Sequence, residues 1–234
     1  MTLFHPAVFL HDLLSFRYVT AAFTTLWISL ASLALGIGVG LVLAVAQETG
    51  LRALSLPARG YIGLFRGTPV LLQIVFVFNV LPSFGIVLPG DACAVLALGL
   101  NEGAYIAEII RAGFRAVGTE QRMAARALGL REMQIMRLVV LPQAVRIILP
   151  PMGNQFISML KLTALISVIG VRELLLTADQ AASSDFRYFE ALSAAGIYYL
   201  ALTALFMVGQ HWLDRRFGRA GALTAGMDAM ARND

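Results

Sequence analysis

Three ionisable side chains interrupt long apolar stretches of this chain, and they are the first candidates for chemistry: Glu102, Glu108 and Lys161. A charge inside a lipid bilayer costs about 2.5–3.5 kcal/mol on insertion scales, so such side chains usually serve a function. Glu108 has a structural explanation, because Arg111 follows at i+3 and can pair with it on a helix. Glu102 has no such neighbour, and we expect it either to face a polar pathway or to pair with Lys161 or Arg66.

Further polar side chains accompany these charges inside the apolar stretches. Asn101, Tyr105 and Glu108 share one face of a helix at spacings of i, i+4 and i+7. Polar side chains within a membrane span mark solute or ion pathways by default. The candidate pathway residues are Gln73, Asn101, Glu102, Tyr105, Lys161 and Thr163.

No pattern for catalysis, metal binding or nucleotide binding accompanies these residues. The three histidines are scattered, and the one cysteine, Cys93, has no companions at metal-ligand spacing. A phosphate-binding GxxxxGK[ST] loop is missing from the sequence, so we do not expect this chain to bind ATP. We therefore expect no metal site, no cofactor and no enzymatic activity in the chain itself.

The composition is that of an integral membrane protein. Of the 234 residues 59% are hydrophobic and only 14% are charged, whereas charged residues make up about 25% of a typical soluble domain. The net charge of +4 does not indicate nucleic acid as a partner, because the arginines lie beside apolar stretches, where positive charge sets membrane topology.

Apolar stretches of about 20 residues predict five transmembrane helices. Their bounds are Thr20–Ala46, Gly60–Leu81, Ala92–Ala112, Ala144–Ile169 and Tyr188–Trp212. If the loop between the third and fourth spans is cytoplasmic, fourteen arginines lie inside and three outside. We therefore predict an external N-terminus and an internal C-terminus, with an amphipathic periplasmic segment at residues 1–19, the membrane domain at 20–213 and a cytoplasmic tail at 214–234.

Two GxxxG patterns lie in the predicted spans, one at Gly36–Gly40 and one at Gly99–Gly103. Such patterns permit close approach of two helices in lipid, and dimerisation through either is one interpretation. The other is that glycine is simply common in membrane helices.

The segment Arg111–Arg146 is basic and has a helical pattern. Thr119 is a plausible N-cap for a first short helix, and Gly129 suits the left-handed position that ends it. A second short helix, Arg131–Val140, is expected to end at Leu141-Pro142 because proline disfavours helical geometry in the residue before it. The residues alone leave two interpretations open, a docking element for another protein or a basic hairpin on anionic lipid.

Sequence motifs in this segment resemble a known family. Arg126-Ala-Leu-Gly-Leu130 followed by Leu141-Pro-Gln-Ala144 resembles the EAA loop of ABC importer permeases. The blocks Phe65–Gln73, Gly103–Gly113 and Lys161–Gly170 resemble the polar amino acid permeases in particular. The sequence departs from the family pattern at three positions: Met123 replaces the usual glutamate of the motif, Glu120 a common glycine and Ala164 a common serine.

The resemblance implies an all-α integral membrane protein of type I ABC importer architecture, with five transmembrane helices and a cytoplasmic coupling-helix loop at about 113–143, between the third and fourth. The ATPase-coupling residues would be Met123, Ala124, Arg126, Ala127, Leu128, Gly129 and Leu130. Such a permease would move a polar amino acid across the bacterial cytoplasmic membrane by alternating access. ATP and Mg would be used by a separate ATPase dimer.

The expected partners are that ATPase dimer, a periplasmic or extracellular amino-acid-binding protein, membrane lipid, and a second permease that is either an identical copy or a paralogue. Nucleic acid is not among them. Two alternatives from other classes remain: an ion-coupled secondary transporter or channel that uses Glu102, Glu108 and Lys161 as a relay, and a membrane scaffold that transports nothing.

Overall fold

The computed structural model describes residues 4–217, and every regular element in that part of the chain is helical. The α-helices are α1 Pro6–Leu14, α2 Phe16–Glu48, α3 Arg52–Gly67, α4 Val70–Val80, α5 Gly90–Ala116, α6 Thr119–Ala127, α7 Glu132–Gln134, α8 Leu141–Leu162, α9 Leu174–Asp185 and α10 Tyr188–Phe217. Leu81–Phe84 and Thr163–Ile169 form 3₁₀ turns, and Ile135–Val140 is π-helical.

Within residues 4–217, four helical segments are long and apolar enough to cross a membrane, and a bent pair supplies the fifth span. The single segments are Phe16–Glu48, Gly90–Ala116, Glu132–Ile169 and Tyr188–Leu213. The all-α fold and the five-span architecture are therefore confirmed. The predicted C-terminal tail starts within α10, and residues 218–234 lie outside the described part of the chain.

The second span is not the straight helix predicted for Gly60–Leu81. The segments Arg52–Gly67 and Val70–Phe84 meet at an angle of 105°. Thr68 has extended backbone angles, φ −117° and ψ 148°, because the ring of Pro69 disfavours helical geometry in the residue before it. The apolar composition of the span hid a break that the Thr68-Pro69 dipeptide causes.

The two GxxxG patterns pack against each other inside the subunit. Gly36 and Gly40 of α2 face α5, and Gly99 and Gly103 of α5 face α2. A Cβ added at Gly103 would lie only 2.6 Å from Cγ1 of Val39. These glycines let two backbones approach closely within one chain, so the dimerisation interpretation is wrong for both patterns.

The fourth span starts earlier than predicted, because the helix does not end at Leu141-Pro142. Helical structure is continuous over Glu132–Ile169. Proline lacks an N–H, and its ring crowds the carbonyl four residues earlier. The π-helical turn before it relieves that crowding, since the N–H of Leu141 donates to the carbonyl of Met136, five residues back.

The short helices α1 and α9 close one end of the bundle. The N–H of His5 donates to Glu190 at 2.8 Å, and the hydroxyl of Tyr198 donates to the Leu13 carbonyl at 2.8 Å, so α1 is held against α10. Glu173 caps α9 by accepting from the N–H groups of Leu175 and Leu176. Burial raises the pKa of Glu173, while these hydrogen bonds and one from Tyr199 oppose the rise.

Candidate functional site

The first helix of the basic loop, α6, has nine residues, about two and a half turns, and a well-defined end. The N-cap residue of α6 is Gly118, not Thr119, and no side-chain hydrogen bond caps this end of the helix. At the other end Gly129 has a φ of +79°, as predicted for a left-handed C′ residue. The N–H of Gly129 donates to the Arg126 carbonyl at 2.9 Å, and that of Leu130 donates to the Ala125 carbonyl at 3.2 Å. This pair of bonds is a Schellman motif, which fixes where the helix stops.

We call Met123–Leu130 the docking knob. Its outer face is apolar and exposed: Met123 is 56% and Leu128 is 82% exposed, and Ala124 and Ala127 are exposed beside them. Its inner face is anchored by Ala125, which is only 4% exposed and belongs to a cluster with Ile135, Val140 and Ala144. Helix α6 is not one of the candidate membrane spans, and a contiguous apolar surface outside such spans is typical of a protein-binding site.

Polar contacts brace the docking knob from several sides. Arg126 donates to Glu132 at 2.6 Å, and this hydrogen bond raises the pKa of the guanidinium. Arg122 donates to the Phe114 carbonyl at 3.0 Å, which ties α6 to the end of α5. The amide of Gln143 reaches Gln121 from α8. The knob therefore keeps its shape with Met123 in place of the usual motif glutamate.

Gln73 and Asn101 converge on the bend between α3 and α4. The Nε2 of Gln73 donates to the Phe65 carbonyl at 3.0 Å and to the Thr68 hydroxyl at 2.8 Å. The Nδ2 of Asn101 donates to the same carbonyl and to Oε1 of Gln73, both at 3.0 Å. The last carbonyls of a helix have no partner within it, and in a membrane other protein groups must satisfy them. Both candidate pathway residues therefore stabilise the bend. Gln73 also lines a largely apolar cavity of about 440 Å³ beside it.

A charged cluster connects the same bend to α5. Glu108 lies 3.5 Å from Arg111, the pair expected from the sequence, and 3.7 Å from Arg66. The guanidinium of Arg66 stands over the ring of Tyr105 at 5.4 Å from its centroid. The Arg66–Glu108 pair crosses from α3 to α5, so the cluster links the end of α3 to the third predicted span.

Glu102 faces α2 and α8 and is 1% exposed. Its Oε2 accepts a hydrogen bond from Gln155 of α8 at 3.3 Å, and a Cβ added at Gly36 would lie 2.8 Å from its Cβ. No ion pair joins Glu102 to Lys161 or Arg66 in residues 4–217, so of the two alternatives for Glu102 the pairing is wrong.

The remaining two candidates, Lys161 and Thr163, differ in how far they are exposed. Lys161 is exposed on α8, where Asn154 and Ser158 precede it on the same helical face. Thr163 is fully buried, and its hydroxyl donates to the Leu160 carbonyl at 2.8 Å. The structure thus brings Gln73 and Asn101 together but does not gather all six residues into one site.

Gln155, which donates to Glu102, is a functional candidate that the sequence alone does not predict. It lies 53 positions from Glu102, and no local spacing pairs them. The only sequence signal is a polar amide in an apolar span, four residues before Met159 and on the same helical face.

A bundle of candidate membrane-spanning helices with an exposed apolar knob at one end is the architecture of a multi-pass membrane protein. The chain belongs to the family of binding-protein-dependent transport system inner membrane components, whose model matches residues 36–219. It is thus a membrane permease component of an ABC importer, in which the ATPase is a separate subunit.

Named relatives and solved structures agree with this family. The arginine transport system permease protein ArgU of Corynebacterium glutamicum is 39% identical over 223 residues, 89% of this chain and 70% of that protein. The glutamine transport system permease protein GlnP of Escherichia coli is 38% identical over 200 residues, 85% of this chain and 91% of that protein.

A crystal structure of an amino acid ABC transporter with histidines matches with a TM-score of 0.82 at 38% identity, covering 86% of this chain and 94% of that one. An inward-facing structure of the MetNI methionine ABC transporter matches with a TM-score of 0.73 over 86% of this chain and 95% of that one. At 20% identity, the second match shows the shared fold alone.

Proposed function

We propose that this permease moves a polar amino acid into the cell by alternating access, driven by ATP and Mg bound to a separate ATPase dimer. The names of the relatives support a polar amino acid as the substrate, since an arginine permease and a glutamine permease are each more than a third identical to this chain over the aligned residues. An external binding protein delivers the amino acid, and a second permease, identical or paralogous, completes the pathway.

The observation that carries the proposal is the exposed apolar face of the docking knob. Ala124 and Ala127 are small and Leu128 projects from the end of α6, so a groove in a partner can receive this face closely. The knob's inner face packs on the π-helical turn and belongs to one buried cluster with α5 and α8, so a force applied to the knob reaches the membrane helices without passing through a flexible linker. Met123, Arg126, Gly129 and Leu130 complete the proposed coupling surface.

The proposed pathway runs past the bend between α3 and α4. Gln73 and Asn101 form its polar wall there, with Tyr105 one turn further along α5. Lys161 lies on the exposed polar face of α8, a face that hydrocarbon would strongly disfavour. Glu102 and Thr163 lie one layer behind and act through the side chains they contact, Glu102 through Gln155.

The proposed topology places the docking knob in the cytoplasm, the N-terminus outside and the C-terminus inside. The distribution of arginines supports this orientation, because fourteen lie on the knob's side of the predicted topology and three on the other. In this proposal the permease lies in the bacterial cytoplasmic membrane. The amphipathic segment 1–19 and the tail 214–234 flank its membrane domain.

Cysteine cross-linking tests the docking assignment with a matched pair of variants. In a Cys93→Ala background, Ala124→Cys should cross-link to the co-expressed ATPase, because Ala124 is exposed on the knob. Ala125→Cys is the control, since Ala125 is next to Ala124 in the chain but is 4% exposed and faces the bundle. Equal cross-linking of both, or of neither, contradicts the assignment.

Transport with and without the ATPase distinguishes the importer from a secondary transporter. Proteoliposomes that contain the permease, the ATPase and the binding protein should take up the amino acid only when ATP is supplied on the side of the membrane where the ATPase is bound. Uptake by the permease alone, driven by an ion gradient, would identify a secondary transporter. A scaffold would give neither uptake nor substrate-stimulated ATP hydrolysis.

A further inference from the structure

A polar cavity of about 220 Å³ opens at the end of the bundle opposite the docking knob. It is lined by Arg17, Thr20 and Thr24 of α2, by Arg172 in the turn before α9, and by Thr177 and Gln180 of α9. Apart from Ala21, every lining residue is polar or charged, and the two charges have the same sign. None of the contacts already assigned to docking or to the amino acid pathway involves these side chains.

The two arginines have no acidic partner in the described part of the chain. Arg17 also lines a neighbouring cavity that contains Asp12 and Asp185, but neither carboxylate forms an ion pair with it. Asp12 contacts His11 and Asp185 contacts Arg187 instead. Two like charges that share a cavity repel each other, so an anion bound between them removes an unfavourable interaction.

The cavity lies at the level where lipid headgroups sit. Arg17 is the second residue of α2, the first span, and Arg172 follows the end of the fourth span at Ile169 by three residues. The face of α2 beside the cavity is exposed and apolar, with Phe16, Phe23 and Trp27 at spacings of i, i+7 and i+11. A molecule with an anionic head and a hydrocarbon chain fits both surfaces at once.

We propose that Arg17 and Arg172 bind the phosphate of a membrane phospholipid whose acyl chain lies along Phe23 and Trp27. Guanidinium groups bind phosphate oxygens through charge-assisted hydrogen bonds, often in pairs. Gln180 supplies a further amide donor at the rim of the cavity. The bound lipid holds α2 and the start of α9 together at the surface of the membrane.

Native mass spectrometry of the complete transporter tests this site. The probes are dioleoyl phosphatidylglycerol and dioleoylglycerol, which share their chains and differ in the phosphate-bearing head. The wild-type protein should retain the phospholipid preferentially. The double variant Arg17→Gln/Arg172→Gln should bind it about 30-fold more weakly, as expected for the loss of two basic side chains near a membrane surface. Both arginines are exposed, and size-exclusion chromatography checks that the variant still assembles.

The matched control is Arg187→Gln, which removes an arginine near the same end of the bundle but outside the cavity. It should leave phospholipid retention unchanged. Equal retention of the two probes, or unchanged retention in the double variant, overturns the proposal. Inorganic phosphate that binds alone as tightly as the lipid would make this a site for soluble anions instead. Loss of binding-protein association with normal lipid retention would assign the arginines to a protein contact and also overturn it.

Discussion

Replacement of Gly129 by aspartate should detach the ATPase while leaving the permease folded. Gly129 has a φ of +79°, and a Cβ added there has no heavy atom within 4 Å. A left-handed conformation costs most L-residues about 1–2 kcal/mol, but asparagine and aspartate adopt it more readily than others do. The substitution therefore introduces no clash, and we expect the loss in folding free energy to stay at or below about 1 kcal/mol.

The effect on docking should be much larger than the effect on folding. The added carboxylate would project from the docking knob into the groove of the ATPase, where it would lose its hydration without gaining an ion pair. Burial of an unpaired charge costs several kcal/mol, and a loss of only about 3 kcal/mol weakens association more than 100-fold. Gly129→Asn has nearly the same shape and backbone preference without the charge, so the difference between the two variants isolates the electrostatic cost.

Docking is measured by co-purification of the ATPase, as the subunit stoichiometry after size-exclusion chromatography. Coupling is measured by substrate-stimulated ATP hydrolysis in proteoliposomes. The matched control is Gly50→Asp, because Gly50 also has a positive φ, +71°, and open space around its Cβ, but lies between α2 and α3. Wild-type stoichiometry and stimulation in Gly129→Asp would refute the reasoning. Equal losses in the asparagine and aspartate variants would attribute the effect to the backbone instead.

Three further predictions concern packing, topology and the buried carboxylate. Gly36→Ala should destabilise the detergent-solubilised permease by about 1–3 kcal/mol in thermal unfolding, because its Cβ meets a side chain at 2.8 Å, whereas Gly38→Ala, with open space, should not. In a cysteine-free background, an impermeant thiol reagent should label a cysteine at Ser184 in intact cells but one at Gly118 only after permeabilisation; the reverse pattern contradicts the topology. Glu102→Gln should preserve assembly but lower the rate of reconstituted transport, and unchanged kinetics for every polar amino acid would exclude a role in the pathway.

Local chemistry made the docking knob predictable from the sequence. The left-handed residue at Gly129 follows from a glycine at the end of an amphipathic segment, and both hydrogen bonds of the Schellman motif lie within six residues. The neighbouring prediction failed for a reason that is also local. The stop expected at Pro142 assumed α-helical geometry before it, and a π-helical turn changes which carbonyl lies under the proline ring.

The polar interior was less predictable, because its contacts join distant parts of the chain. The polarity of Asn101 predicts a pathway residue, yet its partner is a carbonyl 36 positions away. That carbonyl lies at a bend that the apolar composition does not predict. The partner of Glu102 is an amide on another span, not the lysine that charge alone suggested. Polarity in a span identifies which residues need partners, but it does not identify the partners.

The contacts of α5 explain how one chain can connect a docking knob to a polar bend. Near the end of α5 that leads into the knob, Gly113 allows α8 so close that an added Cβ would lie 2.3 Å from Cγ1 of Ile148. The same stretch of α8 shares a buried cluster with Ala125 of the knob. Further along α5, Asn101 holds the carbonyl at the end of α3. Close-packed interfaces transmit displacement because they resist compression. We therefore expect movement of the knob to shift α5 and α8 together, and the bend to follow through the hydrogen bonds of Asn101 and Gln73 and through the Arg66–Glu108 pair.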